Sequence, residues 1–132
     1  MFLCAILIAP FPGWAEMYDA EYKKCSENTT VGIVDCVQSQ TQQWDKRLNS
    51  SYKELMKRSE TAQQTALKSA QRLWIKYRDA NCGFYASGEG SISQIDAIEC
   101  LRSMTQARTC ELQAANNRGE SGVSPECEVA LK

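Results

Sequence analysis

Cysteine is the residue type in this sequence that points most directly to chemistry. Seven cysteines occur among 132 residues, and no two of them have the spacing of a Cys-x-x-Cys pair. A chain of this size in the cytosol would use so many cysteines mainly for metal, whereas exported chains oxidise them to disulfides. Because the paired spacing of a zinc site is missing, we predict disulfides formed in an oxidising compartment, with no metal and no other cofactor.

Histidine does not occur in the sequence, which removes the commonest general base and the commonest metal ligand. Hydrolysis would then need a pair of carboxylates, for example Asp45 and Asp79, or a serine activated by a lysine. The sequence has no Gly-x-Ser-x-Gly string and no glycine-rich motif for phosphates or dinucleotides. We therefore expect a binding protein and not an enzyme.

The formal net charge is −1, with acidic and basic residues mixed along the chain, so no basic surface for nucleic acid is indicated. Residues 2–9 form an apolar run that is too short to span a bilayer. Prolines and a glycine end the run, as in a signal peptide, although no Lys or Arg follows Met1. We predict a signal peptide over residues 1–15, with a short buried helix as the alternative, and one domain over residues 16–132.

Three segments repeat apolar residues with helical spacing and predict an all-α fold. They cover about residues 31–58, 61–85 and 93–117. Thr61 and Gln64 have the spacing of a capping box at the start of the second segment, and Gly88–Ser91 is the clearest loop. The prediction is a small antiparallel bundle of three main helices stapled by disulfides, with a core over about residues 25–115 and a tail over residues 116–132.

The second segment is interpreted as the central helix of the bundle, organised around the stretch from Ala70 to Cys82. The apolar spacing predicts aromatic and leucine side chains as core anchors. These are Trp44, Leu48, Tyr52, Trp74 and Tyr77. Charged residues near the stripes predict a partly buried ion network between helices. Its members are Asp45, Arg78, Asp79 and Arg108.

Removal of the signal peptide takes Cys4 with it and leaves an even number of cysteines. The six are Cys25, Cys36, Cys82, Cys100, Cys110 and Cys127. Sequence alone does not choose among their many possible pairings. A Cys82–Cys100 bond across the loop suits an antiparallel helix pair. Cys25 and Cys36 could then tie the N-terminal segment to the first helix, and Cys110 and Cys127 could tie the tail to the third.

A larger set of residues resembles the LprI-type lysozyme inhibitor family of small secreted bacterial proteins. Its most specific string is Trp74-x-x-Tyr77-Arg78-Asp79-x-x-Cys82, preceded by Leu48-Asn49-x-x-Tyr52. The resemblance covers about residues 25–115, whereas Cys110, Cys127 and the tail depart from the family pattern. It implies a helical, periplasmic or secreted bacterial protein that binds a protein partner, with a lysozyme as the first candidate.

For an inhibitor of this kind, Glu89 and Ser91 on the Gly88–Ser91 loop are the candidate binding residues. A bond between Cys82 and Cys100 would hold the loop rigid and reduce the entropy lost on binding, and an acidic loop attracts the many lysozymes that are basic. A plain helix connection is the alternative for the loop. A periplasmic immunity or envelope-stress module that inhibits no lysozyme is the alternative function. Neither reading involves nucleic acid or stable membrane insertion.

Overall fold

The structure is a computed structural model that describes residues 16–117 and 122–130. The predicted signal peptide and Cys4 therefore lie outside the described residues. A short 3₁₀ turn at Tyr22–Lys24 is followed by four helices. These are α1 (Thr30–Arg58), α2 (Thr61–Ala86), α3 (Ile92–Asn117) and α4 (Pro125–Ala130). The described residues contain no strand, and the predicted all-α class is confirmed.

The central helix of the bundle is α3. It packs against both α1 and α2, whereas α1 and α2 have little contact with each other in the described part of the chain. Every position of α3 from Arg102 to Ala107 is buried, so the middle of this helix is covered on all sides. By contrast, Cys82 is the one buried residue described in α2. The prediction that Ala70–Cys82 forms the central helix is therefore wrong, because α2 lies at one edge of the bundle.

The core has two centres, and each is built on a disulfide. Trp44 packs with the Cys110–Cys127 pair and Val123. The Cys82–Cys100 pair packs with Met104. Leu48 is also buried.

The other three predicted core residues are less buried. Tyr52 and Trp74 are half-buried, and Trp74 packs against the Cys82–Cys100 cluster. Tyr77 is exposed, contrary to the prediction. Positions three apart on a helix differ by about 60° in direction, and α1 does not cover the side of α2 to which Tyr77 turns.

Three disulfides hold the peripheral segments to the long helices. The bonded pairs have Cα–Cα distances of 5.8 Å for Cys25–Cys36, 5.4 Å for Cys82–Cys100 and 5.2 Å for Cys110–Cys127. These are the three pairings that the sequence favoured. The first holds the N-terminal segment to α1, the second joins α2 to α3, and the third holds the tail to α3.

The tail forms α4, a helix that the sequence of the tail did not predict. Arg47 lies over the Trp44 ring, 3.9 Å from its centroid, and pairs with Glu126 at 3.3 Å. A backbone amide hydrogen bond at the start of α4, assisted by Arg47 and opposed by burial, lowers the pKa of the Glu126 carboxyl. The tail therefore packs against Trp44, held by the Cys110–Cys127 disulfide and by the ion pair of Glu126 with Arg47.

The starts of α1 and α2 use different caps. The Thr29 hydroxyl accepts a hydrogen bond from the Gly32 amide at 3.0 Å. At α2 the capping box joins Glu60 and Gln63 and not Thr61 and Gln64, so the predicted box was one residue late. Thr61 is the first residue of the helix, where its hydroxyl cannot fill the cap position.

We expect Thr29→Ala to lower the free energy of unfolding by about 1 kcal/mol, because one amide at the start of α1 loses its acceptor. Thr61→Ala is the matched control and should change stability by less than about 0.5 kcal/mol. Thermal denaturation of the oxidised proteins, followed by circular dichroism, measures both. Equal losses at the two positions would contradict the assignment of Thr29 as the cap.

Candidate functional site

The candidate site is the turn that joins α2 to α3, residues 87–91, and hydrogen bonds at both ends shape it. On the α2 side, the Ser87 amide donates to the Gly83 carbonyl at 3.0 Å and the Ser87 hydroxyl donates to the Phe84 carbonyl at 2.7 Å. On the α3 side, the Ser93 hydroxyl donates to the Gly90 carbonyl at 2.7 Å. The turn therefore has a defined conformation before any partner binds.

Gly90 is the position in this turn that needs glycine. Its φ is +76°, a left-handed conformation that residues with a Cβ adopt only with strain. A Cβ built at Gly90 would meet no neighbouring atom, so the requirement comes from the backbone and not from crowding. The chain reverses direction at this glycine and delivers Ile92 to the start of α3.

The Cys82–Cys100 disulfide holds the base of the turn. Both sulfurs are buried and pack with Met104, and the Asn81 side-chain nitrogen lies 3.3 Å from the Met104 sulfur. Tyr85 and Leu101 close the cluster from either helix. The base of the turn is therefore joined covalently and packed, which restricts the conformations open to the residues between the two cysteines.

The tip of the turn presents acidic, hydroxyl and apolar groups to solvent. Glu89 and Ser91 are both exposed, and neither side chain has a hydrogen-bond partner among the described residues. Phe84 and Ile92 flank them and are 73% and 56% exposed. An exposed carboxylate on a turn, with exposed apolar side chains in the last turn of α2 and at the start of α3, is suited to contact a protein surface with a basic rim.

The predicted ion network is not assembled in the structure. Asp45 is exposed on α1, where Asn49 donates to it at 3.5 Å. Arg78 pairs with its neighbour Asp79 at 3.0 Å and lies 5.0 Å from the centroid of the Trp74 ring. The network prediction is wrong because α1 and α2, which carry these residues, have little contact.

The fourth predicted member of that network, Arg108, makes a different connection. It pairs with Glu111 on its own helix at 2.8 Å and donates to the Gln71 side-chain oxygen at 3.0 Å. The bond to Gln71 joins α3 to α2. Arg108 therefore contributes to packing between helices without meeting any of the other three predicted residues.

A buried ionic cluster lies elsewhere, at residues that no sequence pattern marked. Arg102 and Glu99 are both 0% exposed, and the Arg102 Nε lies 2.6 Å from a Glu99 oxygen. The Arg102 Nη2 atom also pairs with Asp19 at 2.8 Å, and the Nη1 atom donates to the side-chain oxygen of Gln106. The Tyr18 amide donates to Glu99 at 2.7 Å.

The chemistry of this cluster is structural. Burial alone would lower the pKa of Arg102, but hydrogen bonds and charge from Glu99 and Asp19 outweigh burial and raise it above its ordinary value. The guanidinium is therefore charged, and its donors are taken by protein acceptors. The cluster fastens the N-terminal segment to α3 and offers no free group for a reaction.

Tyr18 stands at the edge of this cluster in a left-handed conformation, with φ at +60°. Its hydroxyl donates to Asp96, and its ring meets Tyr22 edge-on with centroids 4.7 Å apart. Burial first, and the Asp96 carboxylate second, raise the pKa of the Tyr18 hydroxyl well above its ordinary value. These contacts hold an unusual backbone conformation in place and complete the attachment of the N-terminal segment.

A shallow pocket of about 230 Å³ lies between α1 and α3, lined by Leu55, Arg58, Ser59 and Ala115. It is smaller than ordinary ligand pockets, and Arg58 already donates to the Asn116 carbonyl. No three Asp, Glu or Cys side chains in the described part come together as a set of metal ligands. None of the described helices is long and apolar enough to cross a membrane.

The sequence of the chain is similar to those of known proteins. Residues 21–112 match the family model described as "Lysozyme inhibitor LprI". The chain is 26% identical over 125 residues to the uncharacterized protein YecT of Escherichia coli (strain K12), covering 81% of this chain and 77% of YecT. It is 44% identical over 59 residues to the uncharacterized protein R02472 of Rhizobium meliloti (strain 1021), which is 42% of each chain. No solved structure matches the chain.

Proposed function

Since the chain belongs to the LprI lysozyme inhibitor family, we propose that it binds and inhibits a lysozyme or a related peptidoglycan hydrolase outside the cytoplasm. The family match is the observation that carries this proposal, and it includes α2, the turn and most of α3. Three disulfides support an extracytoplasmic location, because they persist in oxidising compartments. The periplasm and the exterior of a bacterium both meet that condition.

The α2–α3 turn is the surface that we propose for inhibition. An inhibitor must present a rigid projection to a cleft that normally holds an extended sugar chain. The Cys82–Cys100 bond and the hydrogen bonds of Ser87 and Ser93 supply that rigidity. Phe84 and Ile92 supply apolar contact area on either side of the tip.

Charge limits where Glu89 can bind. A lysozyme cleft contains two catalytic carboxylates, and a third carboxylate placed between them would be repelled. Glu89 should therefore contact the basic rim of the cleft, while Ser91 and the apolar groups approach the sugar-binding surface. This arrangement inhibits by occupying the cleft and requires no reaction on the part of the inhibitor.

We expect purified oxidised protein to stop lysis of peptidoglycan by a susceptible lysozyme at near-stoichiometric ratio. Glu89→Lys should weaken inhibition about tenfold or more, because a cation would then face a basic rim. Glu54→Lys makes the same change of charge at an exposed position on α1 and is the matched control. Residual lytic activity, titrated with each protein, gives the inhibition constants.

Two outcomes of that titration would redirect the proposal. Undiminished lysis at large excess, with several types of lysozyme, would contradict inhibition and favour an immunity or envelope-stress module. Equal inhibition by the Glu89 and Glu54 variants would leave inhibition standing and contradict the turn as its contact surface.

A further inference from the structure

Tyr18 is a solvent-exposed aromatic residue that lies beside the α2–α3 turn. It belongs to the N-terminal segment, residues 16–25, and it is 37% exposed. Its hydroxyl donates a hydrogen bond to Asp96, which lies one helical turn after Ile92 on the same face of α3. The fold therefore brings Tyr18 next to a residue that flanks the tip of the turn, although the two are distant in sequence.

The N-terminal segment and the turn share one packed base. Met17 packs against the cluster of the Cys82–Cys100 disulfide, which is also the base of the turn. On the other side of Tyr18, Asp19 pairs with Arg102 at 2.8 Å. Because both neighbours of Tyr18 are fastened to the bundle, its ring has a defined position relative to the turn.

The backbone conformation of Tyr18 also points to a role for its side chain. Its φ of +60° lies in the left-handed region, which costs free energy for a residue with a Cβ and least for asparagine, aspartate and glycine. Residues held in such conformations are concentrated at binding and catalytic sites. A glycine would attach the segment with less strain, whereas tyrosine adds a ring that stays partly in solvent.

The surface between this ring and the turn is acidic. Residues 79–101 contain four acidic residues and no lysine or arginine. Glu89 is exposed and Asp96 is half-buried, whereas Glu99 is paired with the buried Arg102. Charge complementarity therefore favours the same kind of partner at both places, a protein with a basic rim.

The turn is too small to form a specific interface by itself. Such interfaces bury about 800 Å² on each partner. Residues 87–91, with Phe84 and Ile92 beside them, supply only part of that area. The exposed side of Tyr18 extends the surface from Ile92 along α3, where Asp96 connects the two.

We propose that Tyr18 is a second contact residue of the inhibitor surface, so that the N-terminal segment and the α2–α3 turn bind one peptidoglycan hydrolase together. This role rests on the proposed inhibition, since the partner is the same. Tyrosine is enriched among the residues that dominate protein interfaces, because its ring supplies apolar area and its hydroxyl a hydrogen bond. Here Asp96 takes the hydroxyl, which fixes the ring and leaves its exposed side for the partner.

Tyr18→Asn tests the contact, because asparagine tolerates the left-handed conformation and has no ring. The oxidised variant should inhibit a susceptible lysozyme about tenfold less well than the parent chain, while its melting temperature stays within about 5 °C. Tyr77→Ala is the matched control, since Tyr77 is an exposed tyrosine, 63%, on α2, and inhibition should be unchanged. Residual lysis of peptidoglycan, titrated with each protein, gives the inhibition constants.

Tyr18→Phe separates contact from attachment. Phenylalanine keeps the ring and loses the hydrogen bond to Asp96, so inhibition should stay within about threefold of the parent chain. An equal loss in Tyr18→Phe and Tyr18→Asn would show that the hydroxyl and its attachment are needed, and it would overturn the ring as a contact.

Combination with Glu89→Lys separates contact from positioning of the turn. Two residues that touch the partner independently have effects that multiply, so adding Tyr18→Asn to Glu89→Lys should weaken inhibition by about a further tenfold. No further loss in the double variant would mean that Tyr18 acts only through the turn, which would overturn the proposal.

The same titration distinguishes failure of this proposal from failure of the inhibition on which it rests. Inhibition by Tyr18→Asn equal to that of the parent chain would overturn Tyr18 as a contact and leave the proposed function standing. Undiminished lysis with the parent chain, against several types of lysozyme, would overturn both.

Discussion

Replacing Arg102 with methionine is expected to lower the free energy of unfolding by about 3–5 kcal/mol. The Arg102 side chain is fully buried and binds Glu99, Asp19 and Gln106. Methionine fills much of the same volume but leaves the Glu99 carboxylate, also fully buried, without its cation. A buried charge without a partner destabilises a fold more than the lost attraction itself. Urea denaturation of the oxidised variant, followed by circular dichroism, measures the loss.

Lys24→Met is the matched control for this prediction. Lys24 pairs with Glu21 at 2.7 Å, but its side chain is largely in water, so its removal should change stability by about 0.5 kcal/mol or less. Adding Glu99→Leu to Arg102→Met removes the unpaired carboxylate and should recover part of the stability. Equal losses for Arg102→Met and Lys24→Met would contradict a buried ionic cluster.

Features that depend on neighbours in sequence were predictable. The helical spacing of residues such as Trp44 and Leu48 gave α1 nearly its observed bounds, since one face of that helix is buried and the other is solvated. Cys82 and Cys100 stand at the two sides of one short turn, so an antiparallel pair of helices brings them together with few alternatives.

Features that depend on contacts distant in sequence were not predictable. Asp19 and Arg102 are 83 positions apart, and charged residues are usually solvated, so nothing marked Arg102 as fully buried. The spacing of Glu99 and Arg102, three positions apart on a helix, was a weak indication that the two form an ion pair. Because the middle of α3 is buried at every position, its apolar spacing did not show how completely this helix is covered, whereas α2 has apolar residues on two faces. Tyr77 was assigned to the core for that reason.

The candidate site likewise has one part that the sequence predicts and one part that it does not. Glycines identified the turn, and its exposed position and rigid base follow from local geometry. Whether Glu89 and Ser91 contact a partner depends on the surface of that partner, which the sequence of this chain does not contain. The family match supplies the class of partner, and the Glu89 titration tests the contact.

Replacing both Cys82 and Cys100 with alanine is expected to lower the free energy of unfolding by about 4 kcal/mol. About 3 kcal/mol of this comes from the larger entropy of the unfolded chain once the 18-residue separation is no longer closed. A further contribution of about 1 kcal/mol comes from the space that the two buried sulfurs leave beside Met104.

The Cys25–Cys36 pair separates these two contributions. It closes a separation of 11 residues, and because the entropy term varies only with the logarithm of length, its removal should lose nearly the same entropy. Cys25 and Cys36 are only partly buried, so their replacement by alanine opens less of a cavity. Urea denaturation should therefore show a loss about 1 kcal/mol smaller than for the Cys82 and Cys100 variant, and equal losses would contradict a packing role for the second disulfide.

Amide hydrogen exchange in residues 87–91 should accelerate only when Cys82 and Cys100 are replaced, because that pair alone holds the base of the turn.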